Sequence, residues 1–195
     1  MLIGVFGGTF DPVHLGHLVA AEQSREQARL DEVLFVPAAR PPHKSRESLS
    51  PFGQRAEMLA LAIAGHPAFR LEELEKDRPG PSYTADTLEE LHRSQPDARF
   101  ALILGADCLP ELAGWRDPGR IGNLAEIIVV PRAGNEPAKQ LVPRSVNIRT
   151  TLEMPLIEIS SHDIRRRVAQ GRSIRYLVPR AVECYIETHG LYRGP

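Results

Sequence analysis

Surplus charge of either sign is missing from this 195-residue chain: 24 Lys and Arg stand against 25 Asp and Glu, a formal net charge of -1. Proteins that coat DNA or RNA without sequence preference neutralise many phosphates with excess Lys and Arg, so no nucleic-acid partner is expected. Cysteine is equally scarce. Cys108 and Cys184 form no Cys-x-x-Cys, which leaves neither a disulfide framework nor a cysteine-rich zinc site; each reads as a small buried apolar residue in a reducing cytoplasm. No apolar run approaches the ~18 residues that span a bilayer, so no membrane partner is expected either. Residues 1–6 lack the basic stretch and long apolar core of a secretory signal and read as a first strand. With 42% hydrophobic and 25% charged residues, the expectation is one cytoplasmic domain over 1–195 that handles small molecules.

Short apolar runs alternate with longer amphipathic stretches. Strands are expected at 2–6, 32–36, 69–74, 100–104, 126–130 and 156–159, and helices at 16–30, 51–64, 84–93, 161–170 and 179–189, the last stopped by Gly190. Nearly continuous apolar strands in a βαβα rhythm predict an α/β fold: a doubly wound parallel sheet with helices on both faces. A small helical part over roughly 160–195 closes it. Ser50 before Pro51 reads as a helix N-cap, and Ser160 with Asp163 as a capping box. The near-zero net charge hides segregation. Acids gather over 72–90, and arginines gather from residue 161 onward, which can mark a local anion site.

In such sheets ligands bind outside the carboxyl ends of the strands, which directs attention to the loops there. Strand 2–6 runs straight into Gly7-Gly8-Thr9-Phe10-Asp11-Pro12-Val13-His14-Leu15-Gly16-His17. Two glycines at a strand end admit close backbone approach, and the following helix turns its free N–H groups and positive dipole end to the same place. This is an anion cradle. It is neither a Walker A loop, lacking Gly-Lys-Ser/Thr, nor the GxGxxG fingerprint of dinucleotide oxidoreductases. His14 and His17, three apart, share a helix face and can donate to a phosphate, form half a metal site, or cap and pack locally. A second cradle reads at 159–167, where Ser161 and Arg165 share a face of a helix start. Arg166 and Arg167 read as a solvated helix face.

The segment Gly7 to His17 resembles the signature of the nucleotidylyltransferase superfamily, whose (H/T)xGH element is His14-Leu15-Gly16-His17 here. The resemblance implies a Rossmann-like fold that binds ATP at this loop, through Gly7, Gly8, Thr9, Phe10, His14 and His17, and releases pyrophosphate. Segment 159–167 is similar to the superfamily's second signature, in which Ser161 and Arg165 would hold the triphosphate; His162 departs from the small hydroxyl residue many relatives carry there.

Three further segments, Pro41-Pro42-His43-Lys44, Pro81 to Leu88, and Leu104 to Leu109 leading to Trp115, resemble the bacterial nicotinate-nucleotide adenylyltransferase family along essentially the whole chain. That family joins ATP to nicotinate mononucleotide in NAD biosynthesis, giving deamido-NAD and pyrophosphate. The resemblance implies that Lys44 meets phosphates, that Thr84 and Trp115 frame the nicotinate ring, and that Gly105 and Asp107 contact the nucleoside of ATP. Arg116 or Arg132 would add charge for the ring carboxylate. It makes His17, His14, Lys44 and Arg165 the catalytic set, with Mg²⁺ bound through ATP phosphates rather than in a protein cage. From the residues alone Trp115 can be core, Asp107 a helix cap and Lys44 a solubilising loop residue. The alternatives are an acceptor such as nicotinamide mononucleotide or phosphopantetheine, or a non-catalytic nucleotide sensor on the same fold. A homo-oligomer is left open.

Overall fold

The computed structural model describes residues 1–41, 49–132, 143 and 145–193. Six strands form one sheet: β1 (Leu2–Gly8), β2 (Glu32–Pro37), β3 (Phe69–Leu71), β4 (Arg99–Gly105), β5 (Ala125–Val130) and β6 (Ile148–Thr151). Every pairing is parallel and the order is β3-β2-β1-β4-β5-β6. The chain winds outward from β1 one way and from β4 the other. The strand order therefore reverses between β1 and β4, and a crevice opens there at their carboxyl ends. Both strands end in glycine, at Gly7-Gly8 and Gly105.

Among the described residues six α-helices cover the sheet: α1 (Leu15–Ala28), α2 (Phe52–Ile63), α3 (Thr84–Ser94), α4 (Pro118–Leu124), α5 (Ser161–Ala169) and α6 (Arg180–Thr188). Strand alternation sorts the core into two layers. Ala101, Ile103, Ile128 and Val130 point into one with Ala21 of α1, Met58 and Leu59 of α2, Ile164 of α5 and Val182 and Ile186 of α6. Phe100, Leu102, Leu104, Ile127 and Val129 point into the other with Leu88 of α3 and Ile121 of α4. The helices of the C-terminal stretch thus share a core with α1 and α2. Among the described residues no helix is long and apolar enough to cross a membrane.

Several expectations change. The stretch 156–159 is not a strand: the sixth strand is β6, a short edge strand with Ile148 as its one aliphatic residue. Residues 152–160 carry no regular structure, and Met154, Ile157 and Ile159 turn into the crevice instead, which explains apolar alternation without pairing. Strand β3 stops at Leu71, three residues short of the expected 74. Ser50 does not cap α2. Pro51 occupies the cap position with no side-chain bond, and the Ser50 N–H goes to Asp11 Oδ2 at 3.2 Å. At α5 the Ser160 side chain does accept from the Asp163 N–H, at 3.1 Å. Helix α4 lies where none was expected, started by Asp117, whose side chain accepts from the Arg120 N–H, and by Pro118 in the first turn.

The charge segregation is mostly structural. The acidic segment is answered locally by Lys76 to Glu73, Arg78 to Glu75 and Glu90, Arg93 to Glu89, and Arg120 to Asp86 and Glu89. Of the C-terminal arginines, Arg166 pairs with Asp163, Arg175 and Arg180 with Glu183, Arg167 donates to the Ser173 carbonyl and Arg193 to that of Glu187. Arg165 alone among these turns to the loop after β1.

Candidate active site

A cleft of about 500 Å³ opens at the carboxyl ends of β1 and β4. Gly7, Gly8, Thr9, Phe10, His14, His17, Thr84, Gly105, Asp107, Trp115 and Arg132, scattered over more than a hundred positions of sequence, all line it. A Cβ placed on Gly7 would meet nothing within 4 Å, so the backbone there faces open cleft. At Gly105 a Cβ would stand 2.2 Å from Asp107 Oδ1. Glycine at that strand end is what lets the Asp107 carboxylate fold back beside the cleft.

The two histidines meet face to face, their ring centroids 3.6 Å apart and their planes at 24°. Phe10 meets the His17 ring edge-on at 5.0 Å, and Phe6 does so at 6.0 Å. His17 Nδ1 accepts the His14 backbone N–H at 3.2 Å. That acceptance leaves Nε2 as the protonated nitrogen of a neutral His17 ring, so a donor is held in a fixed orientation at the cleft wall. His14 is 3% exposed. Burial, helped by the charge of Arg132, lowers its pKa from 6.5 to about 3, so it is a neutral imidazole at physiological pH. Of the alternatives read in the sequence, local packing is realised in the stacked rings.

On one side of the cleft Asp107 and Arg132 face each other, 3.9 Å apart. On another side Trp115 and Arg116 line the cleft together with Tyr83 and Thr84 at the start of α3. The Arg116 guanidinium stacks 4.6 Å over the Tyr83 ring, next to Thr84. Arg132 thus lies with the residues expected to touch ATP, and Arg116 with those expected to touch the acceptor. Trp115 is half-buried, one side against the β4-β5 core layer and the other in the cleft. Cys108 also lines the cleft. It is not the fully buried residue expected, nor is Cys184; burial, then Asp107 and Glu111, push the Cys108 thiol up to about 11, which keeps it protonated.

Ser161 and Arg165 do not line the cleft. They lie behind the loop, where Ser161 Oγ donates to the Pro12 carbonyl at 2.8 Å and Arg165 Nη1 to the Asp11 carbonyl at 2.7 Å. The second signature therefore braces the first from a distance of about 150 residues in sequence. Lys44, with His43, lies outside the described residues. Sequence reasoning missed Glu75, which is buried in the cleft wall. It accepts from the Ala39 N–H at 3.3 Å and from Thr87 Oγ1, tying the segment after β2 to α3. It also missed Arg55, a guanidinium on the apolar face of α2; its spacing with Leu59 and Ile63 was the available signal.

Comparison with known proteins agrees with this geometry. The family model described as cytidylyltransferase-like matches residues 5–167. A protein named "Probable nicotinate-nucleotide adenylyltransferase" from Thermus thermophilus is 50% identical over 196 aligned positions, spanning 99% of this chain and 100% of that one. A protein of the same name from Roseiflexus is 49% identical, spanning 98% of each. In fold, the chain is similar to the Plasmodium falciparum nicotinic acid mononucleotide adenylyltransferase solved with NaAD, with a TM-score of 0.83 at 20% identity over 98% of this chain and 97% of that one. Glycine-ended strands at the switch point, paired histidines at the start of α1 and similarity along the full length converge: the chain belongs to the cytidylyltransferase-like family and, within it, to the nicotinate-nucleotide adenylyltransferases.

Proposed function

We propose that this cleft transfers the adenylyl group of ATP to the phosphate of nicotinate mononucleotide, forming deamido-NAD and pyrophosphate. The observation that carries the reading is the stacked His14–His17 pair, with its oriented Nε2 donor, beside the bare backbone of Gly7 at the β1–β4 switch point. The acceptor is a phosphomonoester whose second pKa is ~6, so it is mostly dianionic at neutral pH and needs no general base. Catalysis then reduces to aligning one acceptor oxygen in line with the α-phosphorus and stabilising the charge on the equatorial and leaving oxygens.

In this scheme His17 Nε2 donates to the α-phosphate as charge develops there. His14 adds a second contact and Lys44 meets the phosphates, while Arg165 and Ser161 act from behind the loop, holding the Asp11 and Pro12 carbonyls so that the loop can receive the β and γ end. Gly8, Thr9 and Phe10 shape the loop. Asp107 accepts from the ribose hydroxyls of ATP, with Gly105 beside it. Trp115 offers a face to the electron-poor pyridine ring. The N-terminal amides of α3 at Thr84 serve the ring carboxylate. Arg116 is the better placed cation for that carboxylate, because Arg132 is engaged next to Asp107. Mg²⁺ would arrive with ATP as part of the substrate and would neutralise charge on its phosphates.

The test follows pyrophosphate release from ATP and Mg²⁺ with nicotinate mononucleotide, nicotinamide mononucleotide and phosphopantetheine in parallel. The nicotinate compound should be used fastest. A preference for either of the others replaces the acceptor, and release with none of them returns the cleft to a sensor.

A further inference from the structure

Four carbonyl groups of the loop after β1 are each held by a donor from a distant part of the chain. The Gly8 carbonyl accepts from the Ala38 N–H at 2.8 Å and that of Thr9 from Arg55 Nη1 at 2.7 Å; those of Asp11 and Pro12 take Arg165 and Ser161. An anion cradle needs this arrangement, because a carbonyl oxygen facing the triphosphate would repel it. The loop does not hold the arrangement by itself. Phe10 sits at φ 49, a left-handed conformation that a bulky L-residue keeps only when its surroundings impose it.

Behind the loop those surroundings form a ring of hydrogen bonds around two buried side chains, Asp11 and Arg55. The Asp11 carboxylate, 1% exposed, accepts the Tyr192 hydroxyl on Oδ1 at 2.6 Å and the Ser50 N–H on Oδ2 at 3.2 Å. The Ser50 carbonyl accepts from Arg55 Nε at 3.0 Å, and Arg55, also 1% exposed, returns to Thr9. Tyr192 reaches Asp11 across 181 residues, from the turn after α6, where its own φ is 60. Without that hydroxyl, Asp11 Oδ1 is a buried carboxylate oxygen that has lost its hydrogen-bond donor among the described residues. Arg55, whose guanidinium already feels the Asp11 charge, is a cation able to answer it, and recruiting Arg55 would release the Thr9 carbonyl.

We propose that Tyr192, acting through Asp11 and Arg55, is a positioning residue for the triphosphate loop, so that the C-terminal turn forms part of the ATP site without touching substrate. This rests on the adenylyl-transfer reading for its kinetic consequence, but not for its consequence on ATP binding. Misplacing a reacting group by about an ångström can cost on the order of 10²-fold in rate, so a partial shift of the loop is expected to show clearly.

The experiment compares Tyr192→Phe with Tyr185→Phe. Tyr185 also joins its hydroxyl to a carboxylate, Glu57, and so ties α6 to α2, but away from the loop. Tyr192→Phe should lower kcat/KM for ATP about tenfold and weaken ATP binding measured without acceptor by a similar factor, leaving the acceptor KM within about twofold. Tyr185→Phe should keep wild-type kinetics. Asp11→Asn should reproduce the loss on the ATP side, and the double variant Tyr192→Phe/Asp11→Asn should be no worse than Asp11→Asn alone. Wild-type ATP binding and turnover in Tyr192→Phe overturn the proposal, as do equal losses in the two tyrosine variants or additive losses in the double variant. If wild-type protein joins no acceptor yet Tyr192→Phe still weakens ATP tenfold, the acceptor reading fails and this inference stands.

Discussion

His14 should make the protein's stability depend on pH in a way that one substitution abolishes. Its pKa falls from 6.5 to about 3 on folding, because burial disfavours the imidazolium and Arg132 repels it. A lowered folded pKa means that the unfolded chain binds the proton more tightly. The stability His14 contributes is therefore fully present above pH 6.5 and is lost as pH falls from there toward 3. One pKa unit corresponds to ~1.4 kcal/mol, so between pH 7 and pH 5 this residue alone removes about 2 kcal/mol. That is a sizeable part of the 5–15 kcal/mol typical of a folded domain. Other groups contribute to the slope. Glu72, raised by burial, acts oppositely, stabilising at low pH and losing that effect as pH rises through its folded value. Such terms are shared with His14→Gln, which keeps a neutral polar side chain, and they cancel in the difference. Urea unfolding followed by circular dichroism at pH 7, 6 and 5 should show wild type losing about 2 kcal/mol more than His14→Gln over that range. Parallel stability curves for the two proteins would refute a neutral, desolvated His14.

Four further substitutions separate catalysis, binding and packing. His17→Ala should lower kcat by on the order of 10² to 10³, as loss of one pre-organised donor does, while removal of its bond to the His14 N–H costs only about 1 kcal/mol of stability; steady-state kinetics beside a thermal melt would show whether the two effects part in this way. Trp115→Ala should weaken acceptor binding more than ATP binding, and equal losses in titration would reduce the indole to a core residue. Gly7→Ala should melt like wild type but bind ATP more weakly, since its methyl group enters open cleft. Gly122→Ala should do the reverse, because its Cβ would stand 1.8 Å from the Ser145 carbonyl oxygen; a loss of about 1–3 kcal/mol is expected, with ATP binding per folded molecule unchanged.

The parts of the site that were legible in sequence are those written locally. Gly7 to His17 combines a strand end, two glycines and a helix start within eleven consecutive positions, and the cleft contains them as a unit. Thr84 at a helix start and Gly105 at a strand end are local in the same sense. What escaped was set by tertiary placement. Apolar alternation at 156–159 is the pattern of a strand, but in the fold it serves a segment whose Ile157 and Ile159 wall the cleft. The true edge strand, Ile148–Thr151, carries too little apolar residue to announce itself. Arg165 and Ser161 were found by their helix start, yet their partners are the backbone carbonyls of a loop some 150 residues earlier, which no spacing rule encodes. The same is true of Tyr192, Asp11 and Arg55, whose chemistry exists only once α2, the loop and the C-terminal turn have met.

The central claim is that the acceptor's own phosphate oxygen attacks the α-phosphorus of ATP in this cleft, and oxygen labelling tests it most directly. Nicotinate mononucleotide carrying ¹⁸O in its phosphate would be incubated with unlabelled ATP, Mg²⁺ and the enzyme, and the products resolved by mass spectrometry. The account predicts dinucleotide and pyrophosphate in equal amounts, with every labelled oxygen retained in the dinucleotide, including the bridging one, and none in pyrophosphate. Release of AMP in place of pyrophosphate, or label appearing in pyrophosphate, would contradict it.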